Sequence, residues 1–346
     1  MKNIKKSNWL LFLYSVLFQF HVLLCIWGDE KINKKIAIIA TTPIVLLILI
    51  VGAFILVKYV FNNNTKNKNE SKESNNKSSD LINLNNESYE IKKGGTYKFT
   101  GSIKDGSITT NTSEEVTIIL NKVKINNDSG ACISILGEGS TVIKLEGENK
   151  LTDGDTYSNE DIDAVIYSNS DLTIDGDGSL EINANYKDAI SSKTSLVIDS
   201  GTYNINAKNK AVRSITTLTI NKGTFNIKAE EGIESTYIVI NDGNISINAS
   251  DDGINASVKS DFMSPTIEIN GGNITINMDQ GDTDALDSNG YLYINGGELI
   301  INAQSPFDWD IEGKLNGGTV IVNGETITEL SNQFGGEGGP MGPEPR

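Results

Sequence analysis

Residues 188–209 read DAISSKTSLVIDSGTYNINAKN, residues 210–230 read KAVRSITTLTINKGTFNIKAE, and residues 231–250 read EGIESTYIVINDGNISINAS. Laid one beneath another, the segments share a charged residue, a tiny residue and an aliphatic one, followed by two alternating runs separated by Asp or Asn and a glycine. A block of about 21–25 residues of this kind recurs from Asp163 to near Gly324, and a repeat of that size marks a solenoid.

The opening triads are Asp163-Ala164-Val165, Asp188-Ala189-Ile190, Lys210-Ala211-Val212, Glu231-Gly232-Ile233, Asp252-Gly253-Ile254, Asp284-Ala285-Leu286 and Trp309-Asp310-Ile311. They read as small, mostly acidic turns. The first alternating run places Leu196/Ile198, Leu218/Ile220, Ile238/Ile240 and Ile267/Ile269 inward. The second does the same for Tyr203/Ile205/Ala207, Phe225/Ile227/Ala229 and Ile245/Ile247/Ala249. A period of two means strand. The connections are too short to hold crossover helices, so the strands must wind into a coil in which each turn stacks on the last at ~4.8 Å. The expected fold is all-β, a right-handed single-stranded parallel β-helix. The turn residues Asp199, Asn221, Asn241, Asn270 and Asn295 suit it because Asn and Asp tolerate left-handed backbone and bond neighbouring amides.

Composition agrees. Among 346 residues there are 33 glycines and 6 prolines, and solenoids of this length grow as one unit. The 2 cysteines, Cys25 and Cys132, fall in different regions, which leaves no disulfide framework. A formal net charge of −16 argues against nucleic acid, whose binding needs basic patches.

Two apolar runs, 9–27 and 36–61, precede the repeats and predict an N-terminal transmembrane region over residues 1–61. Residues 62–86 are rich in Asn, Lys, Ser and Glu and read as a disordered linker. The β-helix is expected over 87–330, with irregular first coils and an end cap, and residues 331–346 as a Gly/Pro-rich disordered tail. The expected placement is the cell membrane, with the repeats extracellular, where calcium is abundant enough for an acidic surface to use.

Stacking at one angular position gathers the acidic residues into columns. Glu231, Asp252 and Asp284 form one, and Glu234, Asn255, Asp287 and Glu312 a second beside it, with Asp282 and Asp310 adjoining. Carboxylates at strand spacing repel, and a raised pKa, a basic neighbour or a metal relieves them. Calcium suits the set, since it takes 6–8 oxygen ligands from carboxylates, amides and carbonyls. One rung departs: Lys210 and Arg213 stand where Glu231 and Glu234 stand on the next, and the two cations there take the place of a metal between Asp188 and Glu231. The other reading makes them attractors of an acidic sugar. Trp309, with Tyr293 nearby, is an aromatic candidate on which a sugar ring can stack; the competing role for Trp309 is to cover the end of the core.

The Asp252-Gly253-Ile254 triad, the string Gln280-Gly281-Asp282-Thr283-Asp284-Ala285-Leu286-Asp287-Ser288-Asn289-Gly290, and the ending Phe307-Asp308-Trp309-Asp310-Ile311-Glu312-Gly313 before a Gly-rich tail carry a resemblance. Over roughly residues 95–335 the chain resembles a bacterial secreted carbohydrate-binding family, like the clostridial cellulose- and pectate-binding β-helix proteins. The resemblance implies a right-handed parallel β-helix similar to polysaccharide lyases, bound calcium, and binding of cellulose or acidic sugars rather than cleavage. Lys210 and Arg213 depart from the pattern, as do the paired hydrophobic segments. The leading expectation is a membrane-tethered, calcium-binding β-helix that binds a polysaccharide such as cellulose or polygalacturonate, with no catalytic residue. The alternatives are a calcium-dependent lyase with Arg213 or Lys210 as base, and a passive surface spacer.

Overall fold

Each repeat supplies three strands. In one coil these are Asp188–Ser192, Leu196–Ile198 and Thr202–Ala207; in the next, Lys210–Ser214, Thr217–Ile220 and Thr224–Ala229. The computed structural model describes residues 81–332 apart from Asp261 and Asp282. The apolar runs 9–27 and 36–61, most of the expected linker, Asp282 and the tail from residue 333 lie outside the described residues. Among the described residues no helix is long and apolar enough to cross a membrane.

Equivalent strands pair parallel and in register, which turns the sequence repeat into three core columns. Ile190, Val212, Ile233, Ile254, Leu286 and Phe307 stack on what we call the ladder face. Leu196, Leu218, Ile238, Ile267 and Leu292 stack on the middle face. Ile205, Ile227, Ile247, Ile276 and Ile301 stack on the return face. All are buried. The ladder face has 10 strands, from Tyr89–Ile91 to Ser305–Trp309, so the solenoid has about ten turns. The other two faces are one 20-stranded sheet, because the long strands Gly95–Ile103 and Val116–Asn127 run on through the corner between them.

Three expectations change. The acidic triads are not turns: they open or border the ladder-face strands. Period-two alternation fails there because both sides are covered, as in Glu231–Ser235, where all five residues are buried. The left-handed backbone expected of the turn asparagines falls instead on the glycines that follow them. Gly223 has φ 137°, and a Cβ there would lie 2.9 Å from the Phe225 ring. The asparagines make a side-chain ladder: Asn221 donates to Asp199 (2.6 Å), Asn241 to Asn221 (2.9 Å), Asn270 to Asn241 (3.0 Å) and Asn295 to Asn270 (2.8 Å). Finally, the stack starts before residue 87, since Leu81–Asn83 pairs with Lys98–Thr100 inside the stretch expected to be linker.

At the far end Glu325–Ile327 pairs antiparallel to Thr319–Val322. A strand running the other way ends the parallel stack and occupies its open edge.

Candidate functional site

The outward side of the ladder face carries the charge. Register aligns Ser191, Arg213, Glu234, Asn255, Asp287 and Asp308 in one column. Lys210 and Glu231 pair in the column beside it, as do Asp284 and Ser305. The face divides into two halves with different electrostatics.

In the first half four acids meet four bases. Arg213 lies 3.3 Å from Asp163 and 3.4 Å from Asp188, and its Nε is 3.1 Å from Glu234 Oε2, near but not aligned as a hydrogen bond. Lys210 binds Glu231 and lies 3.8 Å from Glu234. Lys259 reaches the other Glu234 oxygen at 2.8 Å, and Lys193 binds Asp163 at 2.9 Å. Asp188 is buried, and burial with the nearby Asp163 lifts its pKa to about 6 against the pull of Arg213. Glu231 and Glu234, read from sequence as metal ligands, therefore belong to an ion-pair network. Lys210 and Arg213, read from sequence as candidate sugar ligands, are held in the same network by carboxylates of the neighbouring rungs.

The second half holds Asp252, Asp284, Asp287 and Asp308. Among the described residues no lysine or arginine lies within ion-pair distance of Asp252, Asp287 or Asp308. Burial, then Asp251 and Glu231, lift the Asp252 pKa to about 7. Burial, then Asp252 and Asp308, do the same to Asp287. Asp308 is also raised, by burial and Asp310. Asn255 donates to Asp252 Oδ2 at 2.7 Å, while its own Oδ1 and Asp308 Oδ1 are buried without a hydrogen-bond partner. Ser305 donates to Asp284 Oδ1.

All these donors are hard oxygens, the set calcium prefers, and two buried oxygens await a partner. Yet among the described residues no three acid, histidine or cysteine side chains converge closely enough to hold a metal alone. Asn255 Oδ1, backbone carbonyls or water must complete any shell.

The last rung differs from the expectation. The position of Asp284-Ala285-Leu286 is taken by Ser305-Pro306-Phe307, so Asp308 succeeds Asp287 and Trp309 succeeds Ser288. Ile311, the aliphatic residue of the expected triad, is 59% exposed. Asp310 is exposed beyond the strand, and Glu312 lies on the middle face beside Tyr291, bound to Lys314 at 2.7 Å. Neither stands in the ladder. Trp309 is half-buried against the core, and a Cβ on Gly313 would sit 2.6 Å from its indole. Asn332 clamps its carbonyl at 2.8 Å. Its ring closes the end of the stack. Tyr293 points out from the middle face and donates to Glu312 at 3.0 Å.

A family described as "Carbohydrate-binding domain-containing protein" matches residues 85–305 and 210–331. The chain belongs to this carbohydrate-binding family. A member from Acetivibrio thermocellus is 33% identical over 137 residues, 37% of this chain and 48% of the relative. The match therefore spans about half of that relative. A solved structure described as a polysaccharide lyase-like protein from C. thermocellum, gadolinium derivative, superposes with a TM-score of 0.51 at 27% identity, covering 68% of this chain and 87% of that one.

Two outcomes follow for this carbohydrate-binding domain. Arg213→Ala leaves buried Asp188 without its cation, while Glu234 keeps Lys259, and should cost about 3–5 kcal/mol in denaturant unfolding, the range for breaking a buried ion pair; Arg213→Lys should cost less. An acid whose folded pKa is raised lends stability below its unfolded value and loses it as pH climbs through the folded value. In chelator, melting temperature should thus fall between pH 4 and 8, and Asp252→Asn with Asp287→Asn should flatten that fall.

Proposed function

We propose that this carbohydrate-binding solenoid is a calcium-dependent polysaccharide binder that does not cleave its ligand, with cellulose or an acidic glycan such as polygalacturonate as partner. The observation that carries the reading is the contrast between the two halves of one ladder. Where Lys193, Lys210, Arg213 and Lys259 are present each carboxylate has a cation beside it, although burial still lifts Asp188 to about 6; among the described residues no lysine or arginine lies within ion-pair distance of Asp252 or Asp287, whose pKa values are lifted to about 7.

Asp252, Asp287 and Asn255 would hold calcium, with Asp284 and Asp308 beside them and Asp282 on the adjoining segment outside the described residues. Bound calcium would offer open coordination positions to sugar hydroxyls or a uronate carboxylate. Against a lyase stands the state of its candidate bases. Arg213 and Lys210 are each paired with carboxylates, which favours their protonated forms and unfits them to take a proton.

The full-length chain should be retained on cellulose or polygalacturonate in millimolar calcium and released by chelator, without accumulation of unsaturated product. Retention unchanged by chelator contradicts the calcium role, and steady product release contradicts the absence of cleavage. We further place the solenoid outside the cell, tethered through residues 36–61, because extracellular calcium would keep such a ladder filled. Protease added to intact cells should then remove it, and full protection would contradict this placement.

A further inference from the structure

The aromatic surface that the proposed binding needs is not at Trp309, whose ring closes the core. A different set of rings gathers where the middle face meets the ladder face. Register places Tyr237, Thr266 and Tyr291 in one outward column, and Val239, Glu268 and Tyr293 in the next. The Tyr291 and Tyr293 rings lie 5.8 Å apart and within 23° of parallel. Their neighbours restrain them: Tyr237 donates to Glu268 at 2.5 Å and Tyr293 to Glu312 at 3.0 Å. Tyr237 thus stands on one rung of the middle face, and Tyr291 and Tyr293 stand together on the second rung beyond it.

A loop leads into this strip. The strand Ile254–Ala256, which carries Asn255 of the acidic ladder, is followed by residues 257–265 before the chain resumes at Thr266–Ile269. Phe262 in that loop is 93% exposed, with Val258 at 62% and Met263 at 36%. Leaving a ring of that size in water forgoes about 1.5–3 kcal/mol of burial. The loop is nonetheless fastened: the Lys259 amide donates to Thr236 Oγ1 at 3.0 Å, next to Tyr237, and the Lys259 ammonium binds Glu234 on the ladder face at 2.8 Å. Its two stitches straddle the corner between the tyrosine strip and the acid ladder.

We infer that Phe262 and the strip of Tyr237, Tyr291 and Tyr293 form the sugar-stacking surface, on which the apolar faces of successive pyranose rings of a polysaccharide chain lie. The chain then passes the corner with its hydroxyls or carboxylates toward the ladder. Tyrosine serves this role because one end of its ring is apolar and the other hydrogen-bonds, and rigid rings lose little entropy on contact. A strip built along a stack of equal coils fits a polymer of equal units rather than a single small molecule. This inference rests on the proposed polysaccharide binding and adds the surface that does it.

The test is a binding isotherm of the full-length chain on amorphous cellulose and on polygalacturonate, in calcium, for the native chain, Phe262→Ala, Tyr291→Leu and Trp309→Ala. Phe262→Ala touches no core and should leave the melting temperature unchanged while weakening binding about tenfold, the size expected for a lost ring stack. Tyr291→Leu keeps apolar bulk without the flat ring and should weaken binding similarly. Trp309→Ala should lower melting temperature and leave affinity within about twofold once folded. Native affinity in both Phe262→Ala and Tyr291→Leu would overturn the inference while leaving the binding function intact. Failure of the native chain to bind either polysaccharide would overturn the function itself, and the inference with it.

Discussion

Parallel stacking in register is the constraint from which the rest follows. Each coil sits about 4.8 Å from the next, so a residue type that recurs in the repeat becomes a column of like groups. For apolar residues this is favourable: the Ile, Leu and Val columns close a dry core, and Tyr203 stacks on Phe225 at 4.6 Å and 10°. For asparagine it is favourable too, since each amide donates to the one on the neighbouring coil. For carboxylates it is unfavourable, because like charges are brought together on a partly buried face.

The protein answers that last problem in two ways on one surface. Around Asp188 and Glu234, lysines and arginine enter the column and its flanks, so the charge is neutralised within the chain. Around Asp252 and Asp287 no basic side chain lies within ion-pair distance among the described residues, and burial with the neighbouring carboxylates raises both pKa values to about 7. A structural face needs only the first arrangement. The second is the arrangement on which the proposed cation site rests, because an internal lysine at Asn255 or Asp287 would occupy the cation's place.

The core columns were legible in sequence because the inward positions on the middle and return faces are apolar on rung after rung between Leu172 and Ile301. The ladder-face strands were not legible as strands: their outward residues are charged or polar yet covered, which erases the alternation. The pairing of Lys210 and Arg213 with the acids above and below could be read, because a change of sign at one column position has few other meanings. The final rung misled, since Trp309-Asp310-Ile311 imitates the acidic triad while the true successor, Ser305-Pro306-Phe307, has neither the acid nor the aliphatic residue. Phe307 filling a column of Ile, Val and Leu is the signal that could have found it. The tyrosine strip was hidden for another reason. Tyr237 and Tyr291 lie 54 residues apart in sequence and meet across Thr266 only because the inserted loop 257–265 keeps the register on both sides of it.

The most direct measurement is calorimetric titration of calcium into the chelator-stripped full-length chain at pH 8, beside the Asp252→Asn, Asp287→Asn double variant. The account predicts saturable binding by the native chain at pH 8, a displacement of protons when the titration is repeated at pH 6–7 as calcium replaces them on Asp252 and Asp287, and loss of both signals in the variant. Absence of binding in the native chain, or equal binding in the variant, would contradict the claim that the uncompensated half of the ladder is a cation site.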